Sequence, residues 1–309
     1  MYDLSIIIVS FNTAGLLRQC LESLEKHLAG KILFTAVVVD NNSGDDTRPW
    51  LQSFMAQRAW VQAILLDSNT GFARANNIGI RHCSSRNVLL LNSDTYLLDD
   101  SLLAALAYLD GKEDVFGCGC RLLNSDLKPG VSFGHFPTVP VVLREIFTNR
   151  FNRLRGVVPP DTEPVGRIDF PCGAFFLMKR SLLDKVGLLD ERFFMYFEET
   201  DLAKRARDKG YSITFFGTTR IVHLRGGSSG PEKVALAAIF YQSWNYYFSK
   251  HHTALEKAAL NCILLAYFSA MVVAAWLTGK KEILAYYSVH RRGLIGSWRP
   301  GAMDAAAPC

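Results

Sequence analysis

Two acidic motifs and one histidine hold most of the chemistry this chain could perform. Asn92-Ser93-Asp94 follows the apolar run Val88-Leu89-Leu90-Leu91, so Asp94 stands at the end of a buried-type strand. A carboxylate there can hold Mg²⁺ or Mn²⁺ through one or two oxygens and leave the remaining positions to phosphate and water. Phe197-Glu198-Glu199-Thr200-Asp201 gathers three carboxylates at a helix start. The positive end of a helix dipole accounts for one or two of them. Three together beside Phe193-Phe194-Met195-Tyr196-Phe197 favour a raised pKa on one, which is how a general base is tuned. His223 ends the run Ile221-Val222-His223-Leu224 and precedes Arg225-Gly226-Gly227-Ser228-Ser229. A lone His in an apolar strand is more often a hydrogen-bonded core residue. Here the Gly-rich neighbour suits close backbone approach to a diphosphate, and imidazole is a good ligand for Mn²⁺.

The elements that must position these groups alternate. Strands are predicted at Leu4–Ser10, Leu33–Asp40, Val61–Leu66 and Val88–Leu91, and helices at Ala14–Leu28, Thr47–Gln57 and Phe72–Cys83. A βαβαβαβ order builds a parallel sheet with helices on both faces, and all four strands end at one edge. Ser10-Phe11-Asn12, Asp40-Asn41-Asn42-Ser43, Asp67-Ser68-Asn69 and Asn92-Ser93-Asp94 all fall on that edge, where open α/β sheets bind ligands. Ser43 and Ser68 are better read as turn and cap residues. Further on, Asp169–Lys179, Ile213–Phe216 and Arg220–His223 read as strands, Ser181–Val186 and Thr200–Lys209 as helices. The stretch from Pro137 to Pro164 reads as an insertion or mobile loop.

Composition narrows the class. A chain of 309 residues, 49% hydrophobic and 20% charged, is globular and supports one large α/β domain with a modest appendage. The net charge of +5 is mild, without a dense basic run, and argues against nucleic acid. Seven cysteines without a pairing pattern point to a reducing cytoplasm, with Cys118 and Cys120 as core residues. The start Met1-Tyr2-Asp3-Leu4 lacks the basic and cleavage regions of a signal peptide.

The ordered motifs Ile6-Ile7-Ile8-Val9-Ser10-Phe11-Asn12, Val39-Asp40-Asn41-Asn42-Ser43, Asn69-Thr70-Gly71-Phe72-Ala73-Arg74-Ala75-Asn76-Asn77-Ile78-Gly79, Leu91-Asn92-Ser93-Asp94, and Cys172-Gly173-Ala174 through Glu198-Glu199-Thr200-Asp201-Leu202 resemble glycosyltransferase family 2, in the style of its rhamnosyltransferase-like branch, over roughly residues 2 to 230. The resemblance implies a GT-A fold and an inverting displacement, with a divalent metal, Mg²⁺ or Mn²⁺, as cofactor. It implies Asp40 at the nucleobase; Ser10, Asn12, Asn69, Gly71, Asn76 and Ser93 around the nucleotide; Asp94 and His223 as metal ligands; and Glu199 as base. Cys172, Gly173 and Asp201 become acceptor or sugar contacts. Asn92 stands where the first Asp of a DXD motif is usual, and Glu199 where Asp is more common, which leaves the choice between Glu199 and Glu198 open. The implied partners are a dTDP- or UDP-sugar and a lipid-linked glycan.

Residues 1–235 are expected to form the catalytic domain and 236–309 a helical, membrane-associated segment. Ala258 to Thr278 carries no charge and as a helix would span about 31 Å, near the thickness of a bilayer core. Six alanines, with Asn261, Ser269 and Thr278, make insertion marginal. Lys250 and Lys257 precede it, and Lys280, Lys281, Arg291 and Arg292 follow. Positive charge at both ends favours a peripheral or re-entrant helix at the cytoplasmic face of a bacterial inner membrane. A buried or homodimer-interface helix is the alternative of nearly equal weight. Among enzymes, a sugar-1-phosphate nucleotidyltransferase would need a Gly-rich loop where Ser10-Phe11-Asn12-Thr13-Ala14 stands. A dehydrogenase would need Gly-x-Gly-x-x-Gly there. A non-catalytic nucleotide-sugar-binding protein would leave the 198–201 carboxylates without a job.

Overall fold

The computed structural model describes residues 2–147, 156–160, 165–224 and 231–297. In chain order the elements are β1 (Tyr2–Ser10), α1 (Ala14–Leu28), β2 (Phe34–Asp40), α2 (Thr47–Met55), β3 (Val61–Leu65), α3 (Phe72–His82), β4 (Ser85–Leu91), β5 (Thr95–Leu97), α4 (Ser101–Asp110), β6 (Val115–Leu123), β7 (Phe133–Gly134), α5 (Val139–Phe147), β8 (Val165–Ile168), β9 (Phe170–Pro171), β10 (Phe175–Lys179), α6 (Arg180–Val186), α7 (Glu198–Asp208), β11 (Ser212–His223), α8 (Pro231–His251), α9 (Ala254–Leu277) and α10 (Lys281–Gly296). They fall into two compact units, one of Met1–Phe136, Asn152–Glu191 and Glu199–Gly226, the other of Pro137–Phe151, Arg192–Glu198 and Gly227–Cys309.

The first unit is built on a sheet of order β3-β2-β1-β4-β10-β6-β11-β5, with β8 also on β11. β1 to β4 pair in parallel, as the alternating pattern predicts. β10 runs antiparallel to β4 and β6, while β6 and β11 are parallel. Most strands therefore share one direction, and the mostly parallel α/β arrangement expected from the sequence holds. Leu4, Ile6 and Ile8 join a core with Leu17, Leu21 and Leu24 of α1 and Leu51 of α2. The alternate residue Ile7 faces α3 on the opposite side, where Gly79 leaves no room for a Cβ: it would lie 2.5 Å from Ile7 Cγ2. Helices thus cover both faces, because every central strand is apolar on both sides.

Three local expectations need correction. Asp169–Lys179 is not one strand; residues 172–174 turn between β9 and β10, and Phe175 N bonds back to Cys172 O at 3.1 Å. The two strands expected at 213–216 and 220–223 are one, β11, interrupted by a register shift between Phe216 and Arg220. The expected loop after Pro137 contains helix α5, whose apolar Val142 is fully buried. Much of the remainder of that stretch, and Arg225-Gly226-Gly227-Ser228-Ser229, lie outside the described residues. All six described cysteines are free, and Cys118 and Cys120 are core residues; burial pushes the Cys118 thiol up to about 12.

The second unit holds α5 and α8–α10. α8 buries Tyr241, Trp244, Tyr247 and Phe248, and α9 buries Leu260, Leu264 and Phe268. Tyr241 Oη and His290 Nδ1 of α10 lie 3.0 Å apart inside it. Among the described residues α9 is the one helix long and apolar enough to cross a membrane, by length and composition.

Candidate active site

The carboxyl ends of β1, β2 and β4 carry a continuous polar network. Ser10 and Thr13 share a hydrogen bond of 2.8 Å, and Thr13 Oγ1 donates to Ser93 Oγ at 3.1 Å. Asn12 sits at φ 55 and Asn42 at φ 70, a left-handed conformation that asparagine tolerates better than most residues. Asn12 N donates to Ser43 Oγ, and Gly44 N to Asn12 Oδ1 at 2.8 Å. Asn41 accepts from Thr70 N at 2.8 Å and donates to Asn69 Oδ1 at 2.7 Å, and Gly71 N also donates to Asn69. Gly71 has φ 82, so the loop into α3 requires glycine there. The residues expected at the nucleotide from Ser10, Asn12, Asn69, Gly71 and Ser93 are all brought to this rim.

Asp40 and Asn76 lie deeper. Asp40 is fully buried; its Oδ2 accepts from Arg48 Nε at 2.5 Å and from Ser43 N at 3.1 Å. Arg48 Nη2 also donates to Leu66 O. Asn76 is 1% exposed, and its Nδ2 donates within α3 to Phe72 O at 2.9 Å.

Asp94 and His223 meet because β5, only three residues long, pairs with β11 and sets His223 opposite Thr95. Thr95 Oγ1 donates to Asn92 O at 2.7 Å and Leu224 N to Asp94 O at 2.9 Å, which fixes the turn. Asp94 Oδ1 lies 3.3 Å from His223 Nε2, with both side chains mostly buried. One carboxylate and one imidazole fit a hard-to-borderline divalent cation. Among the described residues no three His, Cys, Asp or Glu side chains form a complete cage, so a cation held by this pair would need outside oxygens. Asp40 Oδ1, Asn92 Oδ1 and His223 Nδ1 are buried without a hydrogen-bond partner among the described residues. Buried polar atoms normally find a partner, so three near one sheet edge suit a polar ligand there.

The 172–174 turn brings the acidic cluster to the same edge. Asn92 N donates to Ala174 O at 3.1 Å, which seats the turn against the end of β4. A Cβ on Gly173 would lie 3.5 Å from Glu199 Oε1, so Glu199, half-buried at the start of α7, stands beside it. Cys172 is half-buried and donates from its N–H to Ser132 O. Glu198 is buried. Asp201 is 0% exposed and accepts from Arg205 Nε at 2.8 Å; Arg205 in turn donates to Val186 O and Leu188 O. That carboxylate is engaged in holding α7 to the end of α6.

Tyr196 and Phe197, immediately before α7, both have φ near 70. Such strain persists only where packing over-determines it, and Phe197 is wedged among Phe240, Trp244 and Tyr247. Thr13, Arg48, Asn41 and Asn77 were not singled out by sequence pattern. Asn41 lies in the Asp40-Asn41-Asn42-Ser43 run and Asn77 follows Asn76. Asn77 bonds Leu189 N and O at 3.1 and 2.8 Å, a pairing without any local signal.

With this geometry in place, a family comparison decides the class: the model for glycosyl transferase family 2 matches residues 5–187. The chain belongs to that family. A low-salt glycan biosynthesis hexosyltransferase of Haloferax volcanii is 27% identical over 215 residues, 68% of this chain and 64% of that protein. An N-acetylglucosaminyl-diphospho-decaprenol L-rhamnosyltransferase of Mycobacterium tuberculosis is 29% identical over 105 residues, 34% of this chain and 33% of that protein. The chain thus spans less than two thirds of the length of either relative. A mannosyltransferase of Pyrobaculum calidifontis, solved with GDP-Man and Mn²⁺, superposes with TM-score 0.60 at 17% identity over 96% of this chain and 88% of that one. That likeness shows the GT-A fold.

Proposed function

We propose that this family 2 protein is an inverting glycosyltransferase that takes a sugar from a nucleotide donor, with dTDP-rhamnose as first donor, to a lipid-linked glycan. The observation that carries the reading is the Asp94–His223 pair, 3.3 Å apart, on the edge that also holds the Ser10–Thr13–Ser93 and Asn41–Asn69 networks. Asp94 and His223 would hold a divalent cation, which supplies charge neutralisation to a departing diphosphate. Asn41 orders the Asn69–Gly71 loop, and Asp40 offers Oδ1 to a base N–H. Glu199, whose carboxylate stands beside Gly173, takes the proton from the acceptor hydroxyl as it attacks. The rhamnosyl transfer and the diphosphate lipid in the mycobacterial relative's name support the donor and acceptor halves. In this reading residues 1–235 are catalytic, and 236–309 hold the protein peripherally at the cytoplasmic face of a bacterial inner membrane, with the apolar α9 as support.

The test supplies dTDP-rhamnose, UDP-glucose, UDP-galactose and UDP-N-acetylglucosamine separately, each with membrane extract and with soluble acceptors. Label should enter the lipid fraction from dTDP-rhamnose, and excess EDTA should stop it. Efficient transfer from a UDP-hexose to a soluble acceptor, with none from dTDP-rhamnose, would overturn donor and acceptor assignments together. Full activity in EDTA would overturn the metal role of Asp94 and His223.

A further inference from the structure

Three hydroxyls stand in a row from the end of β1, through the start of α1, to the end of β4. Ser10 Oγ and Thr13 Oγ1 lie 2.8 Å apart, and Thr13 Oγ1 donates to Ser93 Oγ at 3.1 Å. A hydroxyl has one proton to give. Thr13 spends its own on Ser93, so Ser10 must be the donor to Thr13, and the whole row points one way. The proton left over is that of Ser93, and among the described residues nothing accepts it. Ser93 is 7% exposed, and a polar group so nearly buried normally has its partner.

Thr13 forgoes a local use to make this row. It is the N-cap of α1, where a threonine hydroxyl ordinarily accepts from a backbone N–H two or three residues on, yet its side chain makes no such bond. Asp45, from the loop after β2, serves the start of the helix instead, with Ala14 N donating to its Oδ2 at 3.1 Å. A side chain that leaves its own helix uncapped and reaches a residue 80 positions away breaks a local rule, and such departures concentrate at functional sites.

The place of Ser93 says what its proton is for. It directly precedes Asp94, whose Oδ1 lies 3.3 Å from His223 Nε2, the pair assigned above to the cation at the donor's diphosphate. A ligand held there carries charged oxygens with lone pairs to offer. A hydroxyl already aimed by its neighbour meets such an oxygen without first losing rotational freedom.

We propose that Thr13 is a positioning residue for the donor: by accepting from Ser10 and donating to Ser93, it turns the Ser93 O–H toward an oxygen of the bound nucleoside diphosphate. The inference rests on the nucleotide half of the function proposed above and on neither its sugar nor its acceptor. Calorimetry of the full chain with UDP and with dTDP in Mn²⁺ buffer tests it, beside KM and kcat for nucleotide-sugar hydrolysis. Thr13→Val keeps the shape but removes the hydroxyl. It should raise Kd and KM about tenfold, the worth of one hydrogen bond to a charged oxygen, with kcat little changed, while Thr13→Ser should stay within about twofold of wild type. Ser93→Ala should weaken binding by the same factor, and adding Thr13→Val to it should cost nothing more, because the two residues act through one proton. Losses that multiply in the double variant, or a Thr13→Ser as weak as Thr13→Val, would make Thr13 a packing residue and overturn the proposal. Should Thr13→Val fail to fold, Ser93→Ala decides alone, and an unchanged nucleotide affinity there overturns it. Wild type that binds neither nucleotide would overturn the donor reading and this proposal with it, whereas wild type that binds, with Thr13→Val its equal, would overturn the proposal alone.

Discussion

At the scale of single residues, the neighbours of each carboxylate bear on its role. Glu199 stands beside Gly173 at the end of β4, whereas Asp201 is tied to Arg205. Glu199→Gln keeps size and hydrogen bonding but cannot take a proton, so it should lose transfer by roughly 10²-fold or more while binding nucleotide normally. Calorimetry with the nucleotide, beside a transfer assay, separates these, and a dead Glu198→Gln with an active Glu199→Gln would exchange the two roles. Arg48 and Asp40 are a different case. Asp40 is wholly buried, with Arg48 as its only cation among the described residues. Removing one partner of a buried pair strands the other charge, so Arg48→Ala should cost about 3 kcal/mol or more. Urea unfolding reads this directly, and an unchanged midpoint would mean that Asp40 is compensated by other means.

At the scale of elements, the sequence reports best where its signal is local. β1, α1 and β2 fall within two residues of their predicted bounds, because β-branched runs and helical periodicity are read over short windows. The stretch from β5 to β6 is poorly legible. β6 reads Val-Phe-Gly-Cys-Gly-Cys-Arg-Leu-Leu, and glycine depresses a strand reading. Gly117 is there for packing, since its Cβ would lie 2.5 Å from Leu177 O on the neighbouring β10. Asp94 and His223 were legible by type, yet their meeting depends on β5 pairing with β11 across more than a hundred residues, which no local pattern encodes. Gly79 tests the packing argument. An alanine there would put its methyl 2.5 Å from Ile7 Cγ2 and 3.1 Å from Val39 Cγ2, and overpacking costs about 1–3 kcal/mol. That outweighs the helix gain of up to about 1 kcal/mol, so Gly79→Ala should lower the melting temperature. Gly15→Ala, in α1 with nothing within 4 Å, should leave it unchanged or raise it. If both variants raise it, the sheet and α3 are looser than this packing implies.

At the scale of the whole molecule, the surplus positive charge and the exposed face of α9 act in the same direction. Lys280 and Lys281 follow the helix and are exposed, and Trp276, just before them, is 70% exposed beside Leu277. An indole flanked by lysines at the end of an apolar helix is the arrangement that anchors at a bilayer interface, with the ring among headgroups and the ammonium groups at phosphate. Burial of α9 against α8 and α10 uses Leu260, Leu264 and Phe268, so Trp276 belongs to the opposite, unburied part of the helix. Adding phosphatidylglycerol vesicles should therefore shift tryptophan emission to shorter wavelength, and Trp276→Phe should remove most of that shift while the melting temperature stays put. The lysines contribute through screened Coulomb attraction, so the amount of protein bound should fall between low and molar salt without reaching zero, since the apolar contact survives screening. The homodimer alternative separates cleanly from this. A second copy covering the same face would shift the emission on concentrating the protein without vesicles, and Trp276→Phe would abolish that concentration dependence instead.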